Sequence, residues 1–293
     1  MSQITRRGFV AGAAISAGAA SMAQAGQNQP APLRYRLGIV TYNIAAAWDV
    51  PTILRVCRAV GLAAVELRTT HKHGVEPGLN AAARKEVRQR FNDAGIEIWG
   101  CGTACEFHSP DQDVVRRNIE TCREFISLVA DLGGKGVKVR PNALPKGVET
   151  ARTLAQIGRS LAACGKAAAD ANVEIWLEVH GPGTSHPPHI RTIMQEANHR
   201  NVGVTWNSNR EDVVDGSVSQ YFKMLQSWIK SCHINELHSG YPYRELFRLL
   251  RESGYDRVTL AEIPGMPDTA SGERLMRYYK MLWTELAGVG SRQ

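Results

Sequence analysis

Four short segments in the second half of the chain each carry one side chain able to bind a cation, set among apolar neighbours. Glu178 lies in Trp176-Leu177-Glu178-Val179-His180, and Asn207 ends Val204-Thr205-Trp206-Asn207. His233 opens His233-Ile234-Asn235-Glu236-Leu237, and Glu262 lies in Leu260-Ala261-Glu262-Ile263. Two carboxylates, an amide and an imidazole make a coordination set suited to a divalent ion such as Mn²⁺, Mg²⁺ or Zn²⁺. A lone Glu is ordinarily a solvated surface residue. Glu178 and Glu262, however, are flanked on both sides by aliphatic residues, and burying either carboxylate unpaired would cost several kcal/mol. A bound cation removes that cost, so the pair points to function rather than to structural ion pairs.

Other polar groups gather on short runs earlier in the chain. Glu66 and Arg68 share one face of a strand by the period of two, with His71 and His73 just beyond. Lys138 and Arg140 share a face in the same way. Cations beside a site can hold substrate hydroxyls, a carboxylate or a developing oxyanion, so Glu66, Arg68, His71, Lys138 and Arg140 are candidate substrate-binding residues. For Lys138 and Arg140 the competing expectation is an ion pair with Glu66. Among the later histidines His180 is the best candidate, since it shares a strand face with Glu178, whereas His108 and His186 read as hydrogen-bonded bystanders.

These residues need elements to position them. From residue 37 on, short β-type runs alternate with longer helical ones. Strands are expected over 37–41, 64–68, 96–102, 136–140, 173–180, 202–207, 232–237 and 258–263. The helices between them repeatedly end at glycine, as at Gly61, Gly95, Gly133 and Gly254, and one is expected over 218–230. Eight strand–helix units predict a single-domain α/β chain folded as a (β/α)8 TIM barrel, for which about 250 residues is typical. An open doubly wound sheet would carry a Gly-rich phosphate turn after its first strand, and Tyr42-Asn43-Ile44-Ala45 offers none. In a barrel the active site lies at the C-terminal strand ends, where Glu178, Asn207, His233 and Glu262 fall.

In combination and order, four segments resemble the sugar phosphate isomerase/epimerase family, the xylose isomerase-like TIM barrels. They are Leu-Glu-Val-His-Gly from 177, Asn-Val-Gly-Val-Thr-Trp-Asn from 201, His-Ile-Asn-Glu-Leu from 233 and Gly-Tyr-Asp-Arg-Val-Thr-Leu-Ala-Glu-Ile from 254. The resemblance covers most of residues 36–287. It implies one divalent metal held by Glu178, Asn207, His233 and Glu262. It also implies a reaction in which Glu178 and Glu262, on opposite sides of a hydroxy-carbonyl sugar, remove and return a proton through an enediolate. The chain departs from the family at strand six, where the usual Asp, often followed by a His, is replaced by Asn207-Ser208-Asn209-Arg210. A neutral amide weakens metal affinity. Three alternatives stay open or are disfavoured on this reading. A lyase acting on keto-glycosides would share the proton-abstraction step, and a sugar-binding barrel without catalysis would follow if the metal were lost. An apurinic endonuclease would need more His and Asp ligands than these strand ends supply.

The N-terminus reads as an address. Arg6 and Arg7 precede a weakly apolar Ala/Gly/Ser run that ends Met22-Ala23-Gln24-Ala25, the layout of a twin-arginine export signal. Residues 1–25 are expected to be that signal, 26–35 a flexible lead-in and 36–288 the barrel. The expected location is therefore the periplasm or beyond, with the twin-arginine export machinery as a partner. The chain has 293 residues, 43% of them hydrophobic, too many for an intrinsically disordered chain. No apolar run approaches the ~18 residues of a membrane span, so no permanent anchor is expected. The net charge of +7 is spread rather than gathered into a stripe, which excludes nucleic acid as an expected partner; the small carbohydrate partner is what the resemblance implies. A homo-oligomer is compatible with all of this. The six cysteines fall at irregular spacings and read as packing residues.

Overall fold

A computed structural model of the protein describes residues 33–288. The expected export signal and all but the last three residues of the lead-in lie outside these residues. Eight strands alternate with eight helices: β1 (Arg36–Val40), α1 (Val50–Val60), β2 (Ala64–Arg68), α2 (Ala81–Ala94), β3 (Glu97–Glu106), α3 (Gln112–Leu132), β4 (Gly136–Arg140), α4 (Thr150–Asp170), β5 (Glu174–Glu178), α5 (Pro187–Ala197), β6 (Val202–Trp206), α6 (Ser219–Leu225), β7 (Ile229–Ile234), α7 (Tyr243–Glu252), β8 (Val258–Ala261) and α8 (Thr269–Leu286). Every neighbouring pair of strands is parallel, and β8 returns to β1 to close the barrel. None of the described helices is long and apolar enough to cross a membrane.

Local sequence explains most of the boundaries. Asp49 accepts the backbone N–H of Thr52, Pro51 sits in the first turn, and Gly61 ends α1 at φ 75°, a left-handed conformation that costs glycine little. Asn80 and Asp268 cap α2 and α8 through the backbone N–H three residues on.

Two packed regions result. The larger lies between the sheet and the helices and takes in residues such as Ile39, Val65, Phe125, Ile157, Leu177 and Phe247. The smaller comprises Val40, Ala64, Trp99, Trp176, Val258 and Leu260, all on barrel strands. There the rings of Trp99 and Trp176 stack with centroids 5.2 Å apart. Gly136 makes room for them, because a Cβ at that position would lie 2.3 Å from Trp176 Cε2. Charges occur at both ends of the barrel: Glu174, the first residue of β5, pairs with Lys230 and Arg257, and the other group lies at the C-terminal mouth.

The strand and helix expectations hold in number and order but not at every boundary. β7 runs over Ile229–Ile234 rather than 232–237, and the helix before it stops at Leu225, followed by a single 3₁₀ turn. Lys230 shows why. Its Nζ donates to Glu174 Oε1 (3.1 Å) and to the Arg200 carbonyl (2.7 Å), contacts made from a strand across the sheet that a helical period cannot anticipate. β3 extends four residues further than expected, to Glu106. All six cysteines are buried and unpaired.

Candidate active site at the C-terminal mouth

Each of the four expected metal-binding residues stands at the C-terminal end of its strand. Glu178 ends β5, Asn207 follows β6, His233 is the penultimate residue of β7, and Glu262 follows β8. The Glu262 backbone N–H donates to the Ile234 carbonyl (2.9 Å), which carries the β7–β8 pairing one residue further and aims Glu262 at the mouth. A cavity of about 830 Å³ opens there. Glu178, Asn207 and Glu262 line it together with Arg68, Lys138, Arg140 and His180.

His233 is fully buried and forms the hub of the site. Its Nε2 lies 3.1 Å from Glu66 Oε2, and its Nδ1 lies 3.4 Å from Glu262 Oε2 and 3.7 Å from Glu178 Oε1. Nδ1 has no hydrogen-bond partner among the described residues. Burial alone would lower the pKa of this imidazole, but the surrounding carboxylates of Glu66, Glu262 and Glu178 outweigh it and raise it well above the ordinary value. Glu178 shows the converse balance. Burial would raise its pKa, yet the Lys138 ammonium 2.7 Å from Oε2, with His233, holds it well below the usual carboxylate range.

The donor set fits a divalent ion. Glu178, His233 and Glu262 each offer a ligand atom, and those atoms lie within 4.8 Å of one another. A buried imidazole nitrogen with no hydrogen bond, facing two carboxylates, is a ligand awaiting a cation. Were a cation to take the place of the Nδ1 proton, Glu66 on the other ring nitrogen would hold the tautomer that offers Nδ1 as a ligand, the arrangement in which a carboxylate orients a metal-binding histidine.

Asn207 behaves differently from a fourth ligand. Its Oδ1 accepts the backbone N–H of Ser208 (2.9 Å), so its Nδ2 is the group turned to Glu178 Oε1 (3.3 Å). Exchanging the two amide ends would set an NH₂ against an N–H. In this conformation the side chain gives the site a donor rather than an oxygen.

The expected substrate-binding residues divide. Arg68, Lys138, Arg140 and His180 line the cavity. Glu66 and His71 do not line it. Glu66 is wholly buried against His233, because Gly102 on the neighbouring strand leaves its carboxylate the space; a Cβ there would lie 2.7 Å from Glu66 Oε1. His71 turns its Nδ1 to Thr41 Oγ1 (3.3 Å) and stacks on Tyr42, its pKa lowered to about 4 first by burial and then by His73 and Arg68. Nor do Lys138 and Arg140 pair with Glu66: Lys138 meets Glu178, and Arg140 meets Glu106 at the end of the longer β3.

Residues the sequence did not single out brace the loops of the site. Ser208 Oγ donates to the His233 carbonyl (3.2 Å), Asn209 Nδ2 to the Val179 carbonyl (2.6 Å) and Asn235 Nδ2 to the Ser208 carbonyl (3.2 Å). Beneath them, the buried Asp212 Oδ2 accepts from the Asn209 N–H (2.9 Å) and from the Tyr241 hydroxyl (3.3 Å). The one available signal was the cluster of Asn and Ser after β6, a composition typical of hydrogen-bonded turns.

Asp212 carries a pH prediction. Burial pushes its pKa up from 3.8 to about 8. Between those values the native state holds a proton that the unfolded chain releases, so this residue's contribution to stability falls as pH rises. Asp212→Asn keeps the shape without the titration. Relative to wild type it should flatten the loss of stability between about pH 5 and pH 8 by about 2–4 kcal/mol, measured by urea unfolding at both values. An unchanged slope would mean that Asp212 is ionised in the native protein.

The model of the Xylose isomerase-like TIM barrel family matches residues 54–280. No curated protein matches the sequence. Among solved structures, a D-psicose 3-epimerase crystallised in the presence of D-fructose superposes with a TM-score of 0.73 at 16% identity, over 86% of this chain and 99% of that one. The IOLI protein with a bound zinc atom gives 0.72 at 16% identity, over 88% and 100%. The 3-keto-D-glucoside 4-epimerase YcjR from E. coli, in its apo form, gives 0.70 at 15% identity, over 85% and 99%. At these identities the likeness is one of fold.

Proposed function

The chain belongs to the xylose isomerase-like TIM-barrel family, and from that premise we propose that it is a metal-dependent sugar isomerase or epimerase. The observation that carries this reading is the pair of carboxylates, Glu178 and Glu262, facing the unsatisfied Nδ1 of one buried histidine at the mouth of the cavity. The printed activities of the epimerases that share the fold support it.

Glu178, His233 and Glu262 would hold the metal, and the chemistry a divalent ion supplies there is polarisation of a substrate carbonyl. The chain's own residues account for the proton. Lys138 keeps Glu178 ionised, so Glu178 is the base that takes the proton from the carbon beside the carbonyl. Glu262, with its side chain 15% exposed against 4% for Glu178, is the carboxylate with access to solvent and returns a proton. Return to the opposite face of the same carbon is epimerisation, and return to the neighbouring carbon is aldose–ketose isomerisation. Glu66 holds the His233 ring still throughout.

We place the protein outside the cytoplasm on its twin arginine alone, which favours free sugars or glycosides as substrates. A second reading, elimination from a keto-glycoside, begins with the same abstraction. It is favoured by the cavity volume, which lies in the range that encloses a drug-sized molecule and so accommodates an aglycone. Incubation of the Mn²⁺-loaded protein in D₂O with D-fructose, D-tagatose and a 3-keto-glucoside tests both. Deuterium at the carbon next to the carbonyl in an epimer or isomer is expected, whereas aglycone release identifies the lyase. No deuterium incorporation from any of them, together with a protein that takes up no metal, would leave a binding barrel instead.

A further inference from the structure

Most of the buried and half-buried charges around the cavity can be paired off, and among the described residues Arg68 is the one of them that does not pair. Lys138 meets Glu178, Arg140 meets Glu106, and His233 is shared by Glu66, Glu178 and Glu262. Arg68, at the end of β2, also lines the cavity, yet no carboxylate partners it among the described residues. Its Nη1 donates to the Thr69 carbonyl (2.9 Å), and its guanidinium lies 5.8 Å from the centre of the Tyr42 ring. Those contacts position the group without neutralising it. Arg210 and Glu236 also line the cavity without an Arg–carboxylate or Lys–carboxylate partner among the described residues, but Arg210 is exposed and the Glu236 side chain is 42% exposed at the rim, so water screens them. Arg68 is half-buried, and its stem runs along the lane that Gly102 leaves open on β3, where a Cβ would lie 3.4 Å from Arg68 Cδ.

Holding Arg68 this way is costly. Burial and then the neighbouring Arg140 both disfavour its charge, with Tyr42, Glu178 and Glu66 acting the other way. A guanidinium stripped of part of its water, beside a second guanidinium and with most of its donors unused, is complementary to something the protein alone does not contain. Its rigid fork of N–H donors matches the two oxygens of a carboxylate. One unneutralised half-buried guanidinium calls for one negative charge. A phosphate dianion would need a second, and Arg140 is already committed to Glu106.

We infer that the substrate carries a carboxylate, bound in the cavity by Arg68, so that the chain acts on a sugar acid rather than a neutral sugar. This rests on the isomerase or epimerase reading for the rest of the substrate: the keto end lies between Glu178 and Glu262, and the acid end reaches Arg68.

Three probes that differ only at the terminal carbon test it: D-fructuronate, D-fructose and D-fructose 6-phosphate, with binding measured by calorimetry and saturation-transfer NMR. D-fructuronate is expected to bind wild type about tenfold or more tightly than D-fructose, the difference made by one charge-assisted bidentate contact. That advantage should shrink with added salt, while D-fructose binding stays level. Arg68→Gln should erase the difference between the two ligands, and Arg68→Lys, which keeps the charge without the fork, should restore part of it. The wild-type salt series stands even if a variant fails to fold. Equal or weaker binding of D-fructuronate, preference for D-fructose 6-phosphate, or an intact preference in folded Arg68→Gln would each overturn the assignment. Binding is read apart from turnover. An Arg68-dependent preference in a protein that exchanges no substrate proton would therefore refute the isomerase reading alone, and proton exchange without the preference would refute the carboxylate alone.

Discussion

Glu178→Gln and Glu262→Gln should each lower kcat by about 10²- to 10⁴-fold, the range for loss of a positioned acid or base. Their side effects should differ, because the two carboxylates have different neighbours. Glu178 is the partner of the buried Lys138, so the glutamine variant leaves an ammonium opposite an amide and should lose stability as well as activity. Glu262 is more exposed, its one ion-pair partner among the described residues is His233, and its other charged neighbour, Glu178, repels it, so its variant should melt close to wild type. Steady-state turnover read beside thermal unfolding separates these outcomes. Near wild-type kcat in both variants would remove the two-carboxylate mechanism.

Lys138→Met is expected to be the most destabilising single change in the site. It strands the Glu178 carboxylate in the barrel, and breaking one half of a buried pair costs about 3–5 kcal/mol. The double variant Lys138→Met/Glu178→Gln should recover most of that loss, and the double-mutant cycle measures the coupling. The pair also sets an acid limit. Because the folded pKa of Glu178 is held below its ordinary value, its contribution is complete above the unfolded pKa and is lost as pH falls through the folded one. Lys138→Met removes that contribution, so the stability gap between the variant and wild type should be full at neutral pH and narrow as acid protonates Glu178 in both, read by urea unfolding across the acid range. Mn²⁺ should reduce the cost of the single variant by giving Glu178 another cation. A loss within about 0.5 kcal/mol of wild type, the scale of a neutral surface change, would show that the pair contributes nothing to the fold.

Lys138 also illustrates where reading along the chain stops. The period of two correctly put Lys138 and Arg140 on one strand face, but a face does not name a partner. Glu66 was an equally reachable carboxylate from that position. What excludes it is His233, 167 residues further on, together with Gly102, which gives Glu66 a place beneath the mouth rather than in it. Arg140 finds Glu106 because β3 runs four residues past the expected end. The extra turn of strand follows from sheet pairing, which local propensity does not report.

Periodicity and terminal glycines were local signals, and they sufficed for eight strand–helix units, for the closed barrel and for the strand ends that bear Glu178, Asn207, His233 and Glu262. Those signals act between residues a few positions apart, so they survive in the linear chain. The direction of the Asn207 amide, the support of His233 by Glu66, the neutralisation of Glu178 by Lys138 and the isolation of Arg68 are different in kind. Each depends on which side chains meet across the barrel interior, and closure of the sheet alone brings such distant residues within hydrogen-bonding reach.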